Sequence, residues 1–177
     1  MKLIQENKPA IIFLLVFMGL YVSLNTIYGF IVEAYYPQAD PITLVVSKHV
    51  TWFLSFFDHT IDYSVTTGSR FVSINKSGQL VISVFEGCNG INVMIVFISF
   101  LVAFHGKLKQ TVLFGALGLV VIYLMNFSRV SLLYGVELYY PRYLYFFHKY
   151  LFTGVIYAGV FLMWFVWAKW VRSESSK

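Results

Sequence analysis

Three residues in a chain dominated by apolar side chains carry groups that can do chemistry together: Cys88, Arg129 and His148. Cys88 is the only cysteine, in the stretch Phe85-Glu86-Gly87-Cys88-Asn89-Gly90-Ile91, where a polar, strand-like region meets the apolar run Asn92 to Phe104. A thiol in this setting reads in two ways. It can be a small apolar filler of a packing gap. It can also be a nucleophile, because the free N–H groups of a helix N-terminus favour the thiolate and lower the thiol pKa. Gly87 and Gly90 allow a sharp turn there, or a close approach of backbone to a substrate.

The other groups carry the same ambiguity. Arg129 can snorkel to headgroups. It also lies within an apolar run one helical turn after Asn126, so the two share a face, and an intramembrane arginine is a functional-site candidate. His148, with Phe146, Phe147 and Tyr150 around it, suits either an aromatic belt or a general base. Glu86 is a helix N-terminal acid or an orienting group for that base. His49 and His59 are the reserve candidates for a base, whereas His105 belongs at the opposite end of its helix.

The elements that position these residues follow from composition. Of 177 residues, 59% are hydrophobic, 20% aromatic and 12% charged, about half the charge of a soluble domain. Mean hydropathy is +0.73, and the expected class is an all-α integral membrane helix bundle in one domain, 1–177. A net charge of +5 does not indicate nucleic acid, since the cations sit at the ends of apolar runs rather than in one stripe. One cysteine excludes an internal disulfide.

Residues 1–33 read as an N-terminal anchor helix whose run Ala10 to Val32 is long enough for a ~30 Å hydrocarbon core. That run exceeds a signal-peptide h-region and no small-x-small site follows, so a retained anchor is expected. Residues 42–57 read as an interfacial amphipathic helix: Thr43, Ser47, Thr51 and Ser55 recur every four positions in a polar stripe opposite an aromatic face. Residues 60–87 read as an external β-meander of three short strands, with turns at Thr67-Gly68-Ser69 and Asn75-Lys76-Ser77-Gly78. An open sheet edge cannot face lipid, so the meander belongs outside the hydrocarbon, next to Cys88. The helical core, 88–172, holds spans at Asn89–Phe104, Thr111–Tyr134 and Lys149–Trp170, with an aromatic interfacial segment from Glu137 to Phe147. Trp164, Trp167 and Trp170 are expected at a membrane boundary. About four transmembrane helices result, with residues 42–57 left open as a fifth span.

Cations in short loops mark the cytoplasmic side. Lys2 and Lys8, Lys107 and Lys109, and Lys169, Arg172 and Lys177 lie at alternate ends of these spans, so both termini and the 105–110 loop are expected inside. Cys88 precedes that loop by seventeen positions, about 26 Å of helix, and Arg129 follows Thr111 by eighteen, about 27 Å. His148 opens the last span at the same outer level. Nucleophile, cation and imidazole therefore meet at one depth.

At these residues the chain resembles the exosortase/archaeosortase family, membrane cysteine transpeptidases that process C-terminal sorting signals. Glu86-Gly87-Cys88-Asn89-Gly90, Asn126-Phe127-Ser128-Arg129 and then His148 are similar to the family pattern in order and side. The resemblance covers roughly Glu86 to the C-terminal end, and the short length is similar to reduced bacterial forms of the exosortase F type. It implies acyl transfer at the outer face of a bacterial inner membrane, with Cys88 as nucleophile, His148 as general acid/base and Arg129 at the oxyanion. Glu86, Gly90 and Asn126 are then supporting residues. The implied partners are the bilayer and an exported protein with a C-terminal transmembrane sorting signal. No metal or cofactor is implied, since the histidines lack ligand spacing. The rival class is a non-catalytic membrane scaffold or accessory subunit of an export system, in which Arg129 and Glu86 merely pair. A small transporter is weaker, for want of interrupted spans in symmetric halves. The residues are silent on the recognition motif, the acceptor nucleophile and the oligomeric state.

Overall fold

A computed structural model describes residues 7–104 and 106–175, with side chains to Val171. Lys2, His105, Lys177 and the side chain of Arg172, used above to orient the chain, lie outside the described residues. The helices are α1 (Lys8–Ala34), α2 (Pro41–Ser55), α3 (Ile91–Ala103), α4 (Leu108–Tyr139), the short α5 (Leu144–Phe146) and α6 (Phe152–Ser175). Strands β1 (Ile61–Val65), β2 (Val72–Lys76) and β3 (Gln79–Val84) stand between α2 and α3. Lys8–Ala34, Leu108–Tyr139 and Pro141–Val171 are each long and apolar enough to cross a membrane. The chain is a multi-pass helical membrane protein with a small sheet.

The span expected at Asn89–Phe104 is shorter than the others. Helix α3 has 13 residues, about 20 Å, and it is enclosed by α1, α4 and α6. Its Phe97 and Leu101 have no exposed surface and pack with Ile122, Val160 and Trp167 in an inner core. Trp164 stacks on Phe100 at 4.3 Å between ring centroids, and Trp167 is fully buried. Of the three expected boundary tryptophans, only Trp170 is exposed: spacing by three residues puts Trp164 and Trp167 on the helix face that meets α3 and α4. Helix α4, in contrast, is longer than expected. Its 32 residues span about 48 Å, more than the hydrocarbon is thick, and the last turns pack on the sheet.

The sheet is an antiparallel meander of order β1-β2-β3. Ser77 (φ 51°) and Gly78 (φ 76°) both take positive φ, the two-residue hairpin turn whose twist matches its strands. Ile61, Ile74 and Val84 point from one face into an outer core with Val46, Val50, Cys88, Val130 and Tyr134. Helix α2 completes that core with its polar stripe turned inward. Thr43, Ser47 and Thr51 are buried, whereas Trp52, Phe56 and Phe57 are exposed. An interfacial helix needs its polar side toward water; here that side meets protein, as polar residues do between membrane helices. The start of α2 is held by Asp40, which accepts from the backbone N–H of Ile42 (3.0 Å) and Thr43 (3.1 Å), with Pro41 at the first helical position.

Candidate active site

Cys88 ends a single 3₁₀ turn, Glu86–Cys88, between β3 and α3. Its backbone N–H donates to the Phe85 carbonyl at 2.7 Å, and Gly90, at φ 86°, reverses the chain into α3. A side chain at position 90 would demand a strained backbone, and its Cβ would lie 3.0 Å from Asn126 Cγ. Asn126 needs that room. From α4 it donates Nδ2–H to the Cys88 carbonyl at 3.0 Å and is itself buried.

The three chemical residues come together. Cys88 Sγ is 3.6 Å from His148 Nε2, and Arg129 Nη2 is 3.4 Å from the same nitrogen. His148 is carried by a π-helical turn, Phe147–Leu151, that joins α5 to α6. In that wider turn the His148 carbonyl accepts from the Thr153 hydroxyl, five residues on, at 3.0 Å. A guanidinium can only donate, so Nε2 faces Arg129 as an acceptor with a single lone pair, and the Cys88 S–H competes for it. The pair is therefore a neutral thiol beside a neutral imidazole. Burial pushes the Cys88 thiol up, and the Arg129 charge pulls it partly back. The helix N-terminus expected to lower it does not decide the balance, because Cys88 stands three residues ahead of Ile91, the first residue of α3.

Arg129 has no carboxylate partner among the described residues, and its buried Nε makes no hydrogen bond. Glu86 turns elsewhere, to Arg70 at 3.9 Å; Arg70 also meets Glu33 at 3.5 Å and covers the Tyr36 ring at 4.5 Å. The pairing of Arg129 with Glu86 on which a scaffold would rely is thus not formed. His49 Nδ1 contacts the Tyr123 hydroxyl across α2 and α4, and His59 sits exposed after α2; neither reaches Cys88. His105 lies outside the described residues.

Cys88, Arg129 and His148 share a cavity of about 400 Å³, walled by β3, the outer part of α4 and Tyr145. The model of the transmembrane exosortase family matches residues 9–167. The chain belongs to the exosortase family. No curated protein and no solved structure matches it. In this exosortase the match overlaps every helix and strand described above and takes in all three cavity residues.

Asn89 is a residue the sequence reading passed over. At 1% exposure it donates to the Tyr28 hydroxyl (2.6 Å) and Thr43 Oγ1 (3.0 Å), and accepts from the Ile91 N–H (3.1 Å). Thr43 in turn donates to Asp40. One buried network therefore ties α1, α2 and the start of α3 beside the thiol. The signal was a polar residue opening an apolar run, next to the only cysteine.

Proposed function

We propose that the protein is a membrane cysteine peptidase or transpeptidase that cleaves C-terminal sorting signals of exported proteins at the outer face of a bacterial inner membrane. The observation that carries this reading is the contact of Cys88 Sγ with His148 Nε2 at 3.6 Å, with Arg129 on the same nitrogen, in a cavity of about 400 Å³. Family membership supports it.

The steps follow from the donors. When a substrate carbonyl accepts from Arg129, the lone pair of Nε2 is free for the thiol proton. Sγ then attacks the carbonyl carbon and the oxygen takes the negative charge, stabilised by the guanidinium. The imidazolium returns its proton to the leaving amine as the C–N bond breaks, and a thioester remains. Water or an acceptor amine, deprotonated by His148, completes hydrolysis or transpeptidation.

The test is a secreted reporter carrying a C-terminal apolar helix and basic tail, taken from proteins encoded beside this chain's gene. Wild type shortens the reporter, and hydroxylamine releases it from the enzyme as the hydroxamate, while Cys88→Ala does neither at matched enzyme level. Shortening by Cys88→Ala at the wild-type rate would remove the enzymatic reading.

A further inference from the structure

The cavity beside Cys88 has a sheet edge for a wall. Strand β2 is central, so β3 is open on the side away from it. Five consecutive residues, Val81–Phe85, line the cavity. Successive strand side chains point to opposite faces, so a cavity resting on a face touches every second residue. Contact with five in a row means that it runs along the edge of the strand.

A second cavity, of about 370 Å³, continues the first. It starts at the hairpin end, at Lys76 of β2 and Ser77 of the turn, and follows β3 through Gln79 and Leu80 to Val81, opposite Glu137 and Leu138. Val81 and Glu137 line both cavities, which therefore form one trough from the hairpin turn to the thiol. Among the described residues the ladder bonds of β3 all run to β2, and no other hydrogen bond reaches the backbone of Gln79–Val84. The outer row of N–H and C=O groups is thus left open for pairing, beside Val130 and Leu133.

We propose that this trough binds the extended substrate segment preceding the scissile bond as an added strand along β3, delivering its last carbonyl to Cys88. The inference rests on the proposed function and names how that site takes its substrate. Six strand residues extend about 20 Å, room for up to about six residues of extended peptide. Main-chain hydrogen bonds supply the hold, and side chains at alternate positions meet the apolar face of α4. The added strand lies parallel to β3, because β3 runs toward Cys88 and the substrate chain continues from there into its membrane helix.

Labelling of the full-length protein in nanodiscs tests this. The probes are an N-acetylated Ala/Val tetrapeptide chloromethyl ketone, two analogues N-methylated at alternate pairs of amides, and iodoacetamide. Only alternate amides of an added strand face β3, so one analogue is expected to label Cys88 at least about tenfold more slowly than the parent, the loss of two backbone bonds, and the other near the parent rate. Equal rates for all three peptides, with iodoacetamide still labelling Cys88, would overturn strand addition and leave the nucleophile standing. A Cys88 that reacts with neither class of reagent until the protein is unfolded would overturn the proposed function, and strand addition with it.

Discussion

The two cores of the molecule are built by different physics. The inner one, at the end holding Lys8, Phe104 and Trp167, is closed by ring on ring, Phe100 on Trp164 and Phe114 on Trp167, and by the Phe97 ring against Gly118. Between membrane helices there is no hydrophobic gain over lipid, so such a core depends on close contact. Among the described residues, Ser99 Oγ and the indole nitrogens of Trp164 and Trp167 make no hydrogen bond there, and in the other half the same holds for Thr51 Oγ1, Arg129 Nε and the Tyr134 hydroxyl. The outer core buries Asp40, Thr43, Asn89 and Asn126 and connects each of them. Ring packing tolerates small shifts, whereas hydrogen bonds fix distance and direction, and Cys88 lies in the half that has them. The division predicts that variants of the outer core lose rate and variants of the inner core lose stability.

The largest effect is expected from His148→Ala, a loss of about 10²–10⁴ in reporter processing at unchanged abundance. Arg129→Lys is expected to fall comparably, since a point charge does not replace the planar fork of donors. Normal processing by His148→Ala, with loss in His49→Ala or His59→Ala, would move the base elsewhere. Next comes Asn89→Ala, which leaves the turn untied from α1 and α2; a displacement of about 1 Å can lower the rate about 10²-fold. Its readout is kcat at saturating reporter together with Cys88 alkylation, and a fall in abundance alone would make Asn89 purely structural. Gly118→Val tests the inner half. The added carbons meet the Phe97 ring, expected to cost about 1–3 kcal/mol, seen as a lower melting midpoint with activity per folded molecule retained. Should activity per molecule fall as far as in Asn89→Ala, the two cores are not separable.

The smallest effect is in the titration of Cys88. Burial raises the thiol pKa, so the thiolate fraction at neutral pH is below that of an exposed cysteine, and alkylation should keep rising beyond the pH where an exposed thiol levels off. Removing the guanidinium in Arg129→Ala removes the pull downward, and the profile should shift further up. A shift in the opposite direction would show that the Arg129 charge does not act on the thiol.

How much of this was legible in the sequence differs between the same two regions. Rare residue types in apolar surroundings marked Cys88 and Arg129, and Ser77-Gly78 marked the hairpin, because each is a local departure from its background. Counting helix rise assigns a level but no azimuth, so it was silent on which residues face one another. The stripe Thr43-Ser47-Thr51 was visible as a period, yet a period does not say whether its polar side meets water or protein. For Trp164 and Trp167, composition suggests a membrane boundary but does not say that their rings pack inward, which only α3 beside them shows. The network through Asn89 joins positions 28, 40, 43 and 89, which nothing in the linear order links.

The π-helical turn at Phe147–Leu151 makes the site sensitive to arithmetic as well as to chemistry. A turn one residue wider than its neighbours works as a phase offset: the helix on its N-terminal side is rotated by about 100° against the helix on its C-terminal side, relative to unbroken α-winding. His148 stands inside that offset. Removing the exposed Tyr150 would restore ordinary winding and swing the imidazole off the thiol, with every group of the triad still encoded, whereas Tyr150→Phe keeps the count. This part of the message is carried by reading frame within the helix, so insertions and deletions here are of a different kind from substitutions.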